Sequence, residues 1–392
     1  MARTNRLHRV SGAALLLLIS CASLSDEPAR FAATYTGEFL SNRSGGLQRG
    51  NAYLDNLDVT LAIDTGRLWG WPSSELFLYG LYNNGEPFSE TYVGDFQVVS
   101  NIETGVEALR LFEAWFRFEY AEHSDVLVGL FDLNSEFDVL ESSLLFTGSA
   151  HGIGTDISQA GVNGPSIFPV TGLAIRVSHR LNDQWQLRGA LLDGVPGDPQ
   201  DPDDTTINLS SDEGALAIVE AEWATKASRI LAGAWGYSAK FSEDPLDIGN
   251  AIPEQRRGNF GAYLRGETVV LDAEQRIAIF GRAGYAHGDF NVFDYFFSAG
   301  VNGRGLIPGR HDDELGLAFA WSETSGNVKD LAARAGDAVD SREIAFELTY
   351  RANVTDRVVL QPAVHYVINP GINPALGNAF VAGLRFQVGL IR

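Results

Sequence analysis

The sequence predicts an all-β fold, a transmembrane antiparallel up-and-down β-barrel of about sixteen strands. Three observations carry that reading. Segments of roughly ten residues with period-2 alternation recur to the end of the chain, as expected of strands with two unlike faces. Short and long connections alternate between them, the pattern of short periplasmic turns and long extracellular loops. In five of the segments, at 112–120, 277–285, 315–321, 344–350 and 380–388, one face carries no charge. No run approaches the ~20 apolar residues of a membrane-spanning helix, and no stretch keeps a 3.6-residue period between caps.

The first eight strands are expected near 31–40, 55–66, 75–84, 109–121, 125–134, 171–180, 184–193 and 214–225. The rest follow near 229–241, 258–271, 276–287, 294–303, 313–322, 342–353, 357–367 and 378–390. Tight turns fall at "AEHS" (121–124), "LNDQ" (181–184), "TKAS" (225–228), "DAEQ" (272–275) and "NVTD" (353–356), with somewhat longer ones at 67–74 and 304–312. Between them lie the long connections 41–54, 85–108, 135–170, 194–213, 242–257, 323–341 and 368–377, with 288–293 a short member of that set. A soluble sandwich or propeller has no reason to keep this alternation.

The stretch "GLAIRVSHRLNDQWQLRGALLDG" (172–194) displays both faces. Leu173, Ile175 and Val177 alternate with Arg176 and Ser178; after a polar break Trp185, Leu187 and Leu191 alternate with Gln186 and Arg188. Elsewhere Phe112, Ala114, Phe116, Phe118 and Tyr120 share the apolar register, as do Leu315, Leu317, Phe319 and Trp321, and Phe380, Ala382, Leu384 and Phe386. A charge on that face would cost roughly 2–4 kcal/mol at the bilayer midplane. Aromatics gather at segment ends, where interfacial belts form.

The other register carries Glu113, Trp115, Arg117, Asp132, Arg176, Arg188, Glu220, Glu222, Arg265, Arg282, Glu343, Glu347, His365 and Arg385. A packed core would need a partner for each charge, so this face is expected to line a water-filled lumen. Inward arginines facing acids would make a polar filter. Arg, Asp and Glu hydrogen-bond sugar hydroxyls well, and the inward aromatics Trp115, Tyr263 and Phe296 could stack on sugar C–H faces. The longest connection, 135–170, is expected to fold inward and narrow the pore, because loops of that length are usually functional. "DGVPGDPQDPDD" (193–204) lacks the spacing of a calcium loop and reads as a solvated loop. No Gly-x-Ser-x-Gly, His-Glu-x-x-His or P-loop occurs, and His179 falls in the outward register.

The chain has 392 residues, 29 Lys+Arg against 50 Asp+Glu, and a formal net charge of −21. That balance argues against nucleic acid as a partner, since phosphate binding needs a basic face. Aromatics at 11%, 42 glycines and a single methionine suit a β-rich protein with many turns. Arg3, Arg6 and Arg9 followed by the apolar run Ala13 to Ile19 read as an export signal over residues 1–23, leaving 24–392 as the barrel. Cys21, the only cysteine, excludes an intramolecular disulfide. "LISC" (18–21) makes it a lipidation candidate, with ordinary cleavage just after it as the alternative.

Several stretches resemble the OprB family of carbohydrate-selective porins of Gram-negative outer membranes. They are "NRSGGLQRGNAYLDNLDVTLAIDTGRLWGW" (42–71), "VVSNIE" (98–103), "GLFDLNSEFD" (129–138), "FTGSAHGIG" (146–154), "PGRHDDELGLAFA" (308–320), "QPAVHYVINPG" (361–371) and "GLRFQVGL" (383–390). The resemblance implies a sixteen-stranded outer-membrane barrel for passive, sugar-preferring diffusion. Two departures are the lipobox-like Cys21 and the last aromatic, Phe386, where such barrels usually finish on an aromatic read by the barrel-assembly machinery. Pro362 inside a strand loses a ladder bond and reads as a tolerated bulge or edge feature. The expected partners are small-molecule carbohydrates, outer-membrane lipid and the assembly machinery, with the chain acting as a monomer or homotrimer and with no cofactor, metal or enzymatic step. The competing readings are a general or anion-preferring porin, an outer-membrane hydrolase, and a non-conducting adhesin.

Overall fold

The computed structural model describes residues 27–71, 73–248 and 255–391. The export signal and Cys21 lie outside the described residues.

Sixteen strands form one closed antiparallel barrel. They are β1 (Ala29–Gly46), β2 (Gly50–Asp64), β3 (Ser74–Asn84), β4 (Glu107–Ala121), β5 (Ser124–Phe131), β6 (Gly172–Arg180), β7 (Trp185–Asp193), β8 (Ala215–Ala224) and β9 (Ser228–Tyr237). A two-residue ladder, β10 (Phe241–Ser242) with β11 (Gln255–Arg256), stands outside the wall. The wall continues with β12 (Phe260–Asp272), β13 (Arg276–Ala286), β14 (Phe293–Arg304), β15 (Glu314–Thr324), β16 (Arg342–Thr355), β17 (Val358–Ile368) and β18 (Gly377–Ile391). Every barrel strand pairs with its chain neighbours, and β1 closes the ring on β18 with Glu38 opposite Arg385 and Phe39 opposite Leu384. Closure leaves no open edge, which hydrocarbon demands because no water is present to satisfy a free N–H or C=O. All sixteen expected segments are strands, shifted at their ends by a few residues.

The two registers separate as the alternation predicts. Leu264, Leu317, Leu348 and Leu384 stand on the outside, between 43 and 56% exposed. Arg176, Arg265, Glu347 and Arg385 point inward, each at most 5% exposed. The long connections gather at one end and the tight turns at the other, which sets the extracellular and periplasmic ends.

Four expectations need correction. The connection 41–54 is not long: β1 and β2 pair as far as Asn42 opposite Gly50, so the ladder consumes most of it. Phe112 is not on the outer face. The β3–β4 register slips between Tyr79 opposite Glu113 and Gly80 opposite Leu111, a one-residue bulge at Phe112. The bulge turns Phe112 inward against Tyr79, ring centroids 5.0 Å apart, and leaves Leu109 and Leu111 outside. Asp132 lies beyond the end of β5, where its carboxylate accepts the Asn134 N–H at 2.8 Å and caps a 3-10 turn. Finally, Gly326–Ala335 is an α-helix with a Ser325 N-cap, a Gly336 C-cap and Val328 and Ala332 buried. Its apolar stripe is too narrow to show as a 3.6-residue period, whereas its caps are legible in "SGNVKDLAARAG".

Pro362 is accommodated as a break in one ladder. It pairs with Leu384 of β18, while the β16–β17 register skips from Thr349 opposite Ala363 to Ala352 opposite Leu360. The missing N–H falls where the ladder is interrupted.

Leu348, midway along β16, tests the outer face. Leu348→Arg is expected to lower unfolding stability in lipid vesicles by about 2–4 kcal/mol. Denaturant titration of the refolded barrel measures this, with Thr349→Arg, on the inner face, as the comparison.

Candidate functional site

The lumen is the site, and two extracellular connections fold into it. The longer, 132–171, is irregular apart from short turns of helix, so its backbone N–H and C=O groups need partners from elsewhere. The barrel wall supplies them. The Arg265 guanidinium donates to Gly152 O at 2.7 Å, His151 O at 2.6 Å and Ser143 Oγ at 2.6 Å, and also bonds Asp138. Arg282 clamps Asp156 with two bonds of 2.6 and 3.0 Å and reaches Asp138 Oδ2 at 2.9 Å through Nε. Its guanidinium also lies over the rings of Tyr263 and Phe296, at 5.3 and 5.1 Å.

Carboxylates of the wall hold the loop amides. Glu220 accepts the Asp138 N–H at 2.8 Å and the Tyr263 hydroxyl at 2.6 Å, while Arg188 approaches its other oxygen at 3.0 Å. Glu267 accepts the Ser142 N–H at 2.8 Å, and Glu347 accepts the Thr147 and Gly148 amides at 2.8 and 2.9 Å. Glycine permits the closest approach. A Cβ on Gly154 would stand 2.2 Å from Arg282 Nη1, and one on Gly284 would stand 2.2 Å from Asp156 Oδ2. Leu133, Phe137, Ile153 and Ile157 then pack with Phe77, Trp115 and Tyr263 of the wall.

The second in-folded connection, 85–106, lies against β1, β2, β17 and β18 through Phe88, Val93 and Val99. Glu343 accepts the Gln97 N–H at 2.9 Å and the Gly371 N–H at 2.7 Å, tying two extracellular loops to the start of β16. Ser100 Oγ donates to Glu38 at 2.6 Å, and Arg385 bridges Glu38 at 2.7 Å and Asn101 at 2.8 Å. The β1–β18 seam is therefore closed by an ion pair as well as by backbone bonds.

All predicted lumen residues on strands do face inward. Glu113, Trp115, Arg176, Arg188, Glu220, Glu222, Tyr263, Arg265, Arg282, Glu347 and Arg385 are buried or nearly so, and Arg117 stays partly open. The reasoning that such charges require an open lumen is corrected: most are satisfied by loop groups or by one another. The partners Glu38, Asp138, Asp156 and Glu267 were not singled out by sequence. Glu38 and Glu267 lie within strand segments, and Asp138 and Asp156 lie in the longest loop, where an unpaired wall arginine needs an acid.

Known proteins share this fold. The model of the carbohydrate-selective porins, OprB family, matches residues 48–390. The chain belongs to the OprB family. Porin B of Pseudomonas aeruginosa is 24% identical over 398 aligned positions, covering 91% of this chain and 86% of that protein. The high-pH structure of Pseudomonas putida OprB superimposes with a TM-score of 0.81 at 21% identity, over 93% of this chain and 95% of that one. A triple mutant of Rhodopseudomonas blastica porin shares the fold at a TM-score of 0.54 and 11% identity, over 92% of this chain and 100% of that one. The OprB chain described here is a carbohydrate-selective porin of the Gram-negative outer membrane, with the sixteen-stranded barrel expected of it.

Arg282→Met removes the cation shared by Asp138 and Asp156. Breaking a buried pair on one side costs about 3–5 kcal/mol, and the loss is expected to fall on loop docking rather than on the wall. Hydrogen exchange of residues 132–171 should accelerate strongly while the strand amides keep their protection.

Proposed function

We propose that sugars diffuse passively, without a catalytic step, through the space that the two in-folded loops leave beside the wall. The filter in this reading is a belt of paired charges at the periplasmic half of the lumen. One observation carries it. Arg30, Arg117, Arg176, Arg188, Arg229 and Arg351 meet Glu75, Asp125, Glu136, Glu222, Glu267 and Glu314 in ion pairs around the wall. Arg117 to Glu75 spans 2.5 Å, Arg188 to Glu222 2.8 Å and Arg229 to Glu222 3.1 Å. Several keep part of their surface open, 27% for Arg117 and 26% for Glu314, against 1% for Arg265 and Arg282.

The chemistry suits a neutral polyhydroxylated solute. Each pair offers donors and acceptors together, so a sugar can exchange its water for wall contacts at both kinds of group. The six arginines and six carboxylates of these pairs balance in number, and Arg188 also meets the loop-holding Glu220. A mobile anion or cation finds no surplus counter-charge there, which speaks against an anion-preferring pore. Among the filter candidates read from sequence, Arg117, Arg176, Arg188 and Glu222 belong to this belt. Arg265, Arg282, Glu220, Glu347 and Arg385 anchor the loops, and Tyr263 supports them beneath Arg282. Glu113 accepts the Trp115 indole N–H at 3.2 Å, and Trp115 stacks on Phe77 with centroids 4.9 Å apart. That ring, like those of Tyr263 and Phe296 flanking Arg282, is occupied by protein rather than free for sugar.

Swelling of liposomes containing the purified protein tests the assignment. Glucose should enter faster than amino acids or organic anions of similar size, and rates set by solute size alone would contradict the filter. Glu222→Gln removes the one carboxylate that Arg188 and Arg229 share, leaving them with Glu220 and Glu267 and the belt one positive charge richer. It is expected to move the pore toward anions severalfold, read as a shifted reversal potential in a salt gradient.

A further inference from the structure

We propose that a hard cation of the calcium class binds in a buried cavity between the two in-folded loops, held by oxygens of Asp95, Gln97 and Glu347. The cavity lies where connections 85–106 and 132–171 meet the wall at β16 and β17, and Asp95, Gln97, Gly148, His151, Glu347 and His365 line it. Asp95 is 9% exposed, Gln97 and His151 3% each, and Glu347 1%.

Apart from His151 Nδ1, the unpaired atoms in this lining are acceptor oxygens. Asp95 Oδ1 and Oδ2, Gln97 Oε1 and His151 Nδ1 have no well-formed hydrogen bond, although Ser89 and the Val98 amide lie near the Asp95 carboxyl. Gln97 Nε2 donates to Glu343 O at 3.0 Å, which fixes the amide orientation and leaves its oxygen to the cavity. His151 Nε2 faces Glu347 Oε2 at 3.8 Å.

A single water has two hydrogens for the three unpaired oxygens of Asp95 and Gln97, whereas a cation takes oxygens alone as ligands. The local charge agrees. Asp95 and Glu347 are the carboxylates of the lining, and no Lys or Arg lines it among the described residues. Arg265 approaches from behind His151, where it is engaged with loop carbonyls. Oxygen donors select a hard ion. No three His, Cys, Asp or Glu side chains among the described residues converge as a preformed metal centre, so a tight transition-metal site is not indicated. An ion here joins loop 85–106 to Glu347 of β16, which already holds the Thr147 and Gly148 amides of loop 132–171, and so fixes the aperture between the loops.

Calorimetric titration of calcium chloride into the intact, EDTA-stripped protein in detergent tests this, with hydrogen exchange as a second readout. The expected result is a saturable binding event that slows exchange in both loops. Asp95→Asn, isosteric and directed at the cavity, should weaken it at least tenfold, while Asp201→Asn in the exposed acidic loop should leave it unchanged. No saturable binding, or equal binding in Asp95→Asn, would overturn the proposal.

Discussion

A backbone in hydrocarbon has no solvent to bond, and this single constraint organises the chain. It forces every spanning strand to pair on both sides, so the sheet must close, here through β1 and β18. Closure fixes which side chains see lipid and which see the interior. Across the hydrocarbon the outer register then takes apolar and aromatic groups, and the ionised groups at the strand middles fall on the inner one, while Asp55, Glu323 and Arg342 stand on the outer register toward the extracellular strand ends. The charges of the lumen are therefore a consequence of the barrel as much as of its cargo.

Those inward charges solve a second problem. A loop as long as 132–171 folded into a barrel carries dozens of polar backbone groups away from bulk water, and an irregular backbone cannot satisfy itself. Arg265 and Arg282 take loop carbonyls and the acids Asp138 and Asp156, while Glu220, Glu267 and Glu347 take loop amides. Each of these wall charges thus gains a partner, and so does each loop group that it binds. The inner wall divides by height. Its middle holds the in-folded loops, and its periplasmic part carries ion pairs of which Arg117 and Glu314 keep part of their surface open. In the proposed reading the filter and the docked loop are two products of the same paired wall.

The fold was legible because a period of two is a local property: each strand announces its faces without reference to any other. The misreadings came from what one strand cannot show. The bulge at Phe112 is a mismatch between β3 and β4, and nothing in "LRLFEAWF" alone places it. The extent of the β1–β2 ladder depends on pairing beyond the apolar belt. The site was legible in half. Arg265, Arg282 and Glu347 were visible as inward charges, but their partners lie more than a hundred residues away, and two of these, Asp138 and Asp156, sit in a loop with no periodicity. Sequence spacing could locate the charges and could not tell which touch solute and which hold a loop.

The central claim is that the docked loop, not the barrel circumference, sets the passage. Single-channel conductance of a variant in which residues 139–160 are replaced by a short Gly-Ser linker tests it most directly. The account predicts a stable barrel with a conductance several times that of the intact protein and a relaxed size limit for saccharides. Unchanged conductance in a folded variant would show that the passage is set elsewhere and would contradict the account.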